Sequence, residues 1–173
     1  LNSGPGGTSG VFVHEKHATD NTLPRLSGWW GNDEKTRFKM QKGFFPQPGA
    51  AGWQMSNAQV LSMAAHRASL AIFDAAGMDK LITKSKQLTG YLEFLLLNGN
   101  RKVYKIITPA DDAQRGCQLS IVMDKDGKKT FDALTQNGVI ADWREPDVIR
   151  VAPVPMYNSF TDVFRFAEIF NNV

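Results

Sequence analysis

The second half of the sequence predicts a small α+β domain, a largely antiparallel sheet with helices on one face. Apolar residues recur at three- and four-residue steps from residue 78 to 98, which indicates a helix. Short β-branched stretches with a period of two follow between residues 103 and 151, which is typical of strands. The end of the sequence then returns to helical spacing, so strands and helices are expected to share one core.

The beginning of the sequence is rich in glycine, since residues 1–10 read LNSGPGGTSG. A phosphate-binding loop is also glycine-rich, but it continues with Lys and Ser or Thr and opens a helix. Here Val11, Phe12 and Val13 predict a strand instead. Residues 14–55 carry Gly, Pro, Trp and Phe without periodicity, and such a long irregular region indicates a site or a covering segment.

Two helices are expected next. Ser56 and Gln59 form a capping-box pattern, so the first helix is predicted to begin there and to end at Gly77. The second is predicted from Met78 to Asn98. Its apolar positions include Leu81, Ile82, Leu88, Leu92, Leu95 and Leu96.

Shorter elements complete the predicted domain. VYKIIT, before Pro109, predicts a strand, and CQLSIVM predicts another with Cys117, Leu119, Ile121 and Met123 on one face.

A short helix over residues 129–136 and short strands over 139–141 and 148–151 follow. Ser159 is predicted to cap the last helix. Its apolar positions are Phe160, Val163, Phe164, Ala167 and Phe170.

Composition narrows the class of protein. With 173 residues, 42% of them hydrophobic, the chain is long enough to bury a core. The net charge of +3 is spread without blocks, which disfavours nucleic acid and membrane surfaces as partners. One cysteine, no apolar run near the roughly 20 residues of a membrane span and no signal-peptide pattern predict a cytoplasmic protein.

The histidines and the cysteine are weak candidates for chemistry. His14 and His17 are three residues apart, whereas the zinc-protease motif places histidines at i and i+4 on a helix, so no metal site is expected. His66 fits an ordinary helix-face residue. Cys117 has nothing basic beside it, so we expect an inert, buried thiol.

Two polar and aromatic pairs are stronger candidates. Trp29 and Trp30 stand between glycines without a periodic core to serve, so a ligand-facing indole is weighed equally against plain packing or a subunit contact. Ser56 and Asn57 lie at a predicted helix start, which suits both a cap and an anion site.

Arg150 is the most suggestive single residue. It lies in VIRVAPVP among apolar neighbours, where an unpaired charge would be costly. Either a carboxylate of the protein pairs with it, which its surroundings alone favour, or a ligand supplies the carboxylate to the two parallel donors of the guanidinium.

Five segments, HEKHA, SGWWG, TRFKM, ITPADDAQRGCQLSI and IRVAPVPMYNSF, together resemble kynureninase over almost the whole chain. The resemblance implies a cytoplasmic homodimer with a shared active site, of the aspartate aminotransferase fold type, that uses pyridoxal 5′-phosphate (PLP). Such enzymes hydrolyse kynurenine or 3-hydroxykynurenine to alanine and anthranilate or 3-hydroxyanthranilate, in tryptophan catabolism and NAD biosynthesis.

The resemblance also implies a division of the chain. Residues 1–55 would end a large α/β cofactor-binding domain and include its active-site and dimer loop. Residues 56–98 would be connecting helices, and residues 99–173 the small C-terminal α+β domain. The Schiff-base lysine is expected just upstream of Leu1, with the glycine stretch leaving the cofactor pocket, so the chain alone is predicted to be inactive.

Site roles follow from the same resemblance. Trp29 would donate its indole N–H to the cofactor phosphate from the neighbouring subunit. Asn57, with Ser56 beside it, would lie near that phosphate and the substrate ring. Trp30 and Phe38 match positions that line the anthraniloyl pocket, and Trp30 replaces the Phe of some members, which bears on the choice between the two kynurenines.

Arg150 matches the arginine that binds the substrate α-carboxylate, which reverses the preference for an internal ion pair. Two other functions stay open. The segment could be a non-catalytic substrate-domain or dimerisation module. It could also belong to another enzyme of the same fold type, such as a cysteine desulfurase, although Cys117 in a strand is poorly placed for sulfur transfer.

Overall fold

The computed structural model describes residues 7–100 and 103–173. It divides the chain into two compact units, the first ending at Ala75 and the second beginning at Ala76. This boundary falls inside the predicted connecting segment of residues 56–98. The division of the chain by role stays a prediction, and the glycine stretch lies partly outside the described residues, which exclude residues 1–6.

Helices and strands concentrate in the second unit. In chain order the elements are α1 (Val60–Ala76), α2 (Met78–Asn98), β1 (Tyr104–Ile106), β2 (Leu119–Met123), α3 (Gly127–Gln136), β3 (Asp142–Arg144), β4 (Val148–Val151) and α4 (Phe160–Asn172). No helix formed by the described residues is long and apolar enough to cross a membrane.

The four strands form one antiparallel sheet in the order β1-β2-β4-β3. Ile121 of β2 lies opposite Ile106 and Ile149, which are all on the core face. One residue along, Ser120 and Asp142 both lie opposite Arg150. Because side chains alternate between the faces of a sheet, these three residues share the face that points away from the core.

The helices of the second unit cover the other face. The buried cluster joins α2, β2, α3, β4 and α4 in one core. Its side chains that are no more than 2% exposed are Leu88, Leu92, Leu96, Leu119, Ile121, Met123, Leu134, Ile149 and Phe170. The predicted antiparallel sheet with helices on one face is therefore confirmed.

Predicted helix ends are confirmed where local hydrogen bonds define them. Ser159 and Asp162 form a capping box at α4, in which each side chain accepts the backbone N–H of the other residue. Val163, Ala167 and Phe170 of this helix are buried, whereas Phe160 and Phe164 are each 45% exposed. α2 has its predicted bounds.

The predicted start of α1 is wrong. The helix begins at Val60 instead of Ser56. The carbonyl of Ser56, which would accept the first helical N–H, accepts the side-chain amide of Gln54 at 3.0 Å instead. α1 has no buried residue, so packing does not extend the helix toward Ser56.

The predicted strand over residues 139–141 is also misplaced, because β3 begins at Asp142. The N–H of Gly138 bonds to the carbonyl of Thr135 and the N–H of Val139 to that of Leu134, which prolongs the end of α3. The backbone is free to join the sheet only after Ile140, which is fully exposed.

The predicted strand at Val11–Val13 is wrong as well, since these residues have no strand assignment. A strand needs a paired neighbour. Among the described residues of the first unit, the only β pairing is an isolated bridge between Asn32 and Pro46. Residues 14–55 are irregular, as predicted, apart from short 3₁₀ turns at Glu15–His17 and Gly49–Trp53.

Candidate functional site

The aromatic side chains of Trp29, Trp30 and Phe38 lie together in the first unit. The centroid of the Phe38 ring is 5.5 Å from that of Trp29 and 6.2 Å from that of Trp30, in edge-on arrangements. Trp30 is half-buried, whereas Trp29 and Phe38 are 57% and 64% exposed. We call these three side chains the three-ring cluster.

Local hydrogen bonds and close backbone packing build this cluster. The N–H of Arg37 donates to the carbonyl of Asp33 at 2.8 Å, which turns the chain back toward the tryptophans. The indole N–H of Trp29 then donates to the carbonyl of Arg37 at 2.9 Å. Gly31 has no room for a side chain, because a Cβ there would lie 2.8 Å from the carbonyl oxygen of Gln54.

A cation lies against the cluster. The guanidinium carbon of Arg37 is 4.7 Å from the centroid of the Trp30 ring, a cation–π distance. The Nε of Arg37 is buried and has no hydrogen-bond partner among the described residues. The cluster thus combines an apolar surface with a positive charge.

Ser56 and Asn57 are exposed and precede α1. The predicted anion site at Ser56 and Asn57 depended on a helix starting there. That helix start is absent, because α1 begins at Val60. Within the described residues, neither side chain is hydrogen-bonded to the three-ring cluster.

Arg150 lies on the face of the sheet away from the core. Its Nε donates to Oδ2 of Asp142 at 2.6 Å, and its Nη2 contacts the same oxygen. The structure therefore contains the internal ion pair that the residues alone favour. The arginine side chain remains 32% exposed, and no hydrogen bond from its Nη1 to the described residues is present.

Asp142 is held by two arginines. Besides Arg150, the Nε of Arg144 lies 3.1 Å from Oδ2 of Asp142. The hydrogen bond from Arg150 holds the pKa of Asp142 below its usual value, and the charge of Arg144 lowers the same pKa further. The carboxylate thus forms an ion pair with each of the two arginines.

A groove of the second unit lies away from Arg150. It has a volume of about 590 Å³ and includes Pro153, Tyr157 and Phe166 among its lining residues, but not Arg150.

The weaker candidates have local roles. Nδ1 of His14 accepts the backbone N–H of Lys16 at 3.1 Å and so caps a 3₁₀ turn. His66 bonds through Nδ1 to the carbonyl of Thr8 at 3.0 Å. Cys117 is half-buried just before β2.

Sequence reasoning missed Asp142 and Arg37. Asp142 lies opposite Arg150 in the β3–β4 pairing, but the strand predicted at 139–141 ended before it. A correct register for this hairpin would have identified the pair. Arg37 stands in the TRFKM segment next to Phe38, where only its cation–π contact reveals its place.

Comparison with known proteins decides the family. The family model described as the kynureninase C-terminal domain matches residues 81–170, which is more than half of the chain. This chain belongs to the kynureninase family. Kynureninases from Flavobacterium psychrophilum and Xanthomonas campestris pv. campestris are 50% identical over 172 residues and 54% identical over 171 residues. These matches cover 98% and 97% of the chain, and the chain spans about 40% of the length of either relative.

Solved structures agree with this fold. A complex of the cystine C–S lyase C-DES with its reaction product cysteine persulfide has a TM-score of 0.66 at 14% identity, covering 86% of this chain and 38% of that chain. A NifS-like protein has a TM-score of 0.52 at 16% identity, covering 88% and 40%. A C-DES variant carrying glycine covalently linked to PLP is also similar, with a TM-score of 0.63 at 14% identity and coverage of 84% and 38%. At these identities the likeness shows the fold that kynureninases share with PLP-linked enzymes.

Proposed function

We propose that the full-length protein containing this chain is a PLP-dependent kynureninase. It hydrolyses L-kynurenine or 3-hydroxy-L-kynurenine to L-alanine and anthranilate or 3-hydroxyanthranilate, within tryptophan catabolism and NAD biosynthesis. The observation that carries this proposal is the identity of about half the residues with curated kynureninases along almost the entire chain.

In this proposal Trp29 and Asn57 are the donors to the cofactor phosphate. The indole N–H of Trp29 and the amide of Asn57 are neutral donors on exposed side chains. The Trp29 N–H is engaged with the carbonyl of Arg37, so binding requires it to exchange that partner for a phosphate oxygen. When bound, PLP supplies an electron sink for carbanions formed from the amino acid.

The three-ring cluster is proposed to bind the anthraniloyl ring. Aromatic rings favour edge-on contacts, which Trp30 and Phe38 already form with each other. Phe38 is 64% exposed and so offers apolar surface to a substrate ring. This contact would fix one end of the substrate.

Arg150 is proposed to bind the α-carboxylate of the substrate. Its unused N–H groups match the two oxygens of an α-carboxylate, and charge-assisted pairs of this kind orient as well as bind.

We also propose that the full-length protein is a cytoplasmic homodimer with a shared active site. Trp29 is exposed and α1 has no buried residue. Both observations support an interface with a second protomer. Size-exclusion chromatography with light scattering would give twice the mass of one protomer.

The reaction is tested by incubating the full-length protein with PLP and each kynurenine. We expect anthranilate, or its 3-hydroxy form, and alanine in equal amounts, measured by fluorescence and by amino-acid analysis. The isolated 173-residue chain serves as a control and is expected to release neither product. Persulfide formed from cysteine, without anthranilate from either kynurenine, would instead indicate a desulfurase, and no turnover at all would indicate a non-catalytic module.

A further inference from the structure

The contact between Asp142 and Arg150 uses only one edge of the guanidinium. Nε and Nη2 of the arginine both donate to Oδ2 of the carboxylate. A guanidinium has five N–H groups in one plane. The contact with Asp142 takes two of them and leaves both N–H groups of Nη1 and the second one of Nη2.

The remaining N–H groups form the second edge of the guanidinium. Nη1 makes no hydrogen bond to the described residues, and the arginine side chain is 32% exposed. The Nη1–Nη2 edge presents two parallel N–H groups, which match the two oxygens of a carboxylate. Asp142 therefore binds one edge of the guanidinium and leaves available the edge that suits an α-carboxylate.

The backbone fixes the position of this pair. Asp142 of β3 and Arg150 of β4 are direct cross-strand partners, and Ser120 of β2 lies on the other side of Arg150. Residues on paired strands hold their geometry more closely than residues on loops. Arg144 also contacts Oδ2 of Asp142, so the carboxylate is anchored from two sides.

We propose that Asp142 is a positioning residue for substrate binding, which rests on the proposed kynureninase function. It holds the guanidinium of Arg150 by one edge so that the other edge faces the substrate carboxylate. Without Asp142, the arginine keeps its charge but samples other rotamers, and its affinity for the carboxylate falls.

The test is a double-mutant cycle in the full-length, PLP-loaded enzyme with L-kynurenine. We expect Asp142→Ala to raise KM about 10-fold with kcat changed less than about 3-fold, because misplaced binding groups weaken substrate contacts. Asp142→Asn keeps an acceptor oxygen and is expected to raise KM less. In an Arg150→Ala background, Asp142→Ala is expected to add almost nothing, since the two residues act as one unit.

The matched control is Asp132→Ala, which removes an exposed aspartate that pairs with Lys128 on α3. It is expected to leave KM unchanged, and thermal unfolding checks that every variant is folded. An unchanged or lowered KM in both Asp142 variants, or additive effects in the cycle, would overturn the positioning role while anthranilate release still supported the reaction. An unchanged KM in Arg150→Ala would contradict the roles of both Arg150 and Asp142 in substrate binding. Failure of the proposed function is distinguishable, because the wild type would then release no anthranilate.

Discussion

At the residue scale, the three-ring cluster joins two adjacent tryptophans with Phe38, which follows Trp30 by eight residues. Trp29, Trp30 and Phe38 meet because a short turn returns the chain and the Trp29 indole bonds to the carbonyl of Arg37. The resemblance to kynureninase implies that Trp30 and Phe38 line one pocket, whereas it assigns Trp29 to the cofactor phosphate, so it does not predict the contact of Trp29 with Phe38. The place of Arg37 could not be predicted either, because its contact depends on the turn geometry.

The half-buried ring of Trp30 provides a test of substrate choice. Trp30→Phe replaces the indole beside Phe38 with a smaller phenyl ring, which enlarges the proposed pocket. We expect kcat/KM for 3-hydroxykynurenine relative to kynurenine to rise about 3- to 10-fold, a size typical of small changes in an apolar pocket. Steady-state kinetics on both substrates measures the ratio.

Trp53→Phe is the matched control for this prediction. Trp53 is another tryptophan of the first unit, but it stacks against Arg25 and makes no ring contact with the three-ring cluster. Its substitution is expected to leave the ratio of the two substrates unchanged. An equal change in both variants would remove Trp30 from the ring pocket.

At the element scale, some ends of helices and strands could be predicted from local sequence and others could not. The capping box of α4 needs only Ser159 and Asp162, so its position could be predicted within one residue. The start of α1 and the strand after α3 depend on competing bonds, from Gln54 to Ser56 and from Val139 to Leu134, which composition does not reveal. Errors therefore fall where two local hydrogen-bonding patterns compete.

The cap of α4 is expected to contribute measurably to stability. Ser159→Ala removes the acceptor for the N–H of Asp162 and should lower the free energy of unfolding by about 1 kcal/mol. Denaturant unfolding of the chain measures the loss. Thr161→Ala, an exposed position in the same turn, is the control and should change the free energy little; equal losses would contradict the capping role.

The same cap predicts a pH dependence. The backbone N–H and hydroxyl of Ser159 hold the pKa of Asp162 below its usual value. A lowered pKa in the folded state gives stability that is complete above the unfolded pKa of about 3.9 and is lost as pH falls through the folded pKa. The difference in Tm between wild type and Asp162→Ala should thus be largest near neutral pH and shrink below about pH 4; a constant difference from neutral pH to pH 2 would contradict it.

At the scale of the whole molecule, the two units differ in their means of stabilisation. Every buried hydrophobic side chain among the described residues lies in the second unit. The sheet and its helices could be predicted because period-two and helical spacing specify one core. The structure of the first unit could not be predicted from such spacing, because its loops are held by individual hydrogen bonds and by glycines without room for a side chain.

Two isoleucines, one buried and one exposed, provide a test of the assigned core. Ile149 is fully buried in the core and Ile140 is fully exposed, so truncating each to alanine removes the same atoms from opposite environments. Ile149→Ala should lower the free energy of unfolding of the second unit by about 2–5 kcal/mol, and Ile140→Ala should change it little. Urea unfolding followed by circular dichroism makes the comparison, and equal effects would contradict the assigned core.

The central claim is that Arg150, held by Asp142, recognises the carboxylate of the substrate. The most direct measurement compares the KM of L-kynurenine with the inhibition constant of the amine that lacks its α-carboxyl group, in wild-type full-length enzyme and in Arg150→Ala. We expect wild type to favour the carboxylate-bearing molecule by at least about 10-fold and the variant to show almost no preference. The same preference in both enzymes would contradict the claim, because the carboxylate would then be recognised elsewhere.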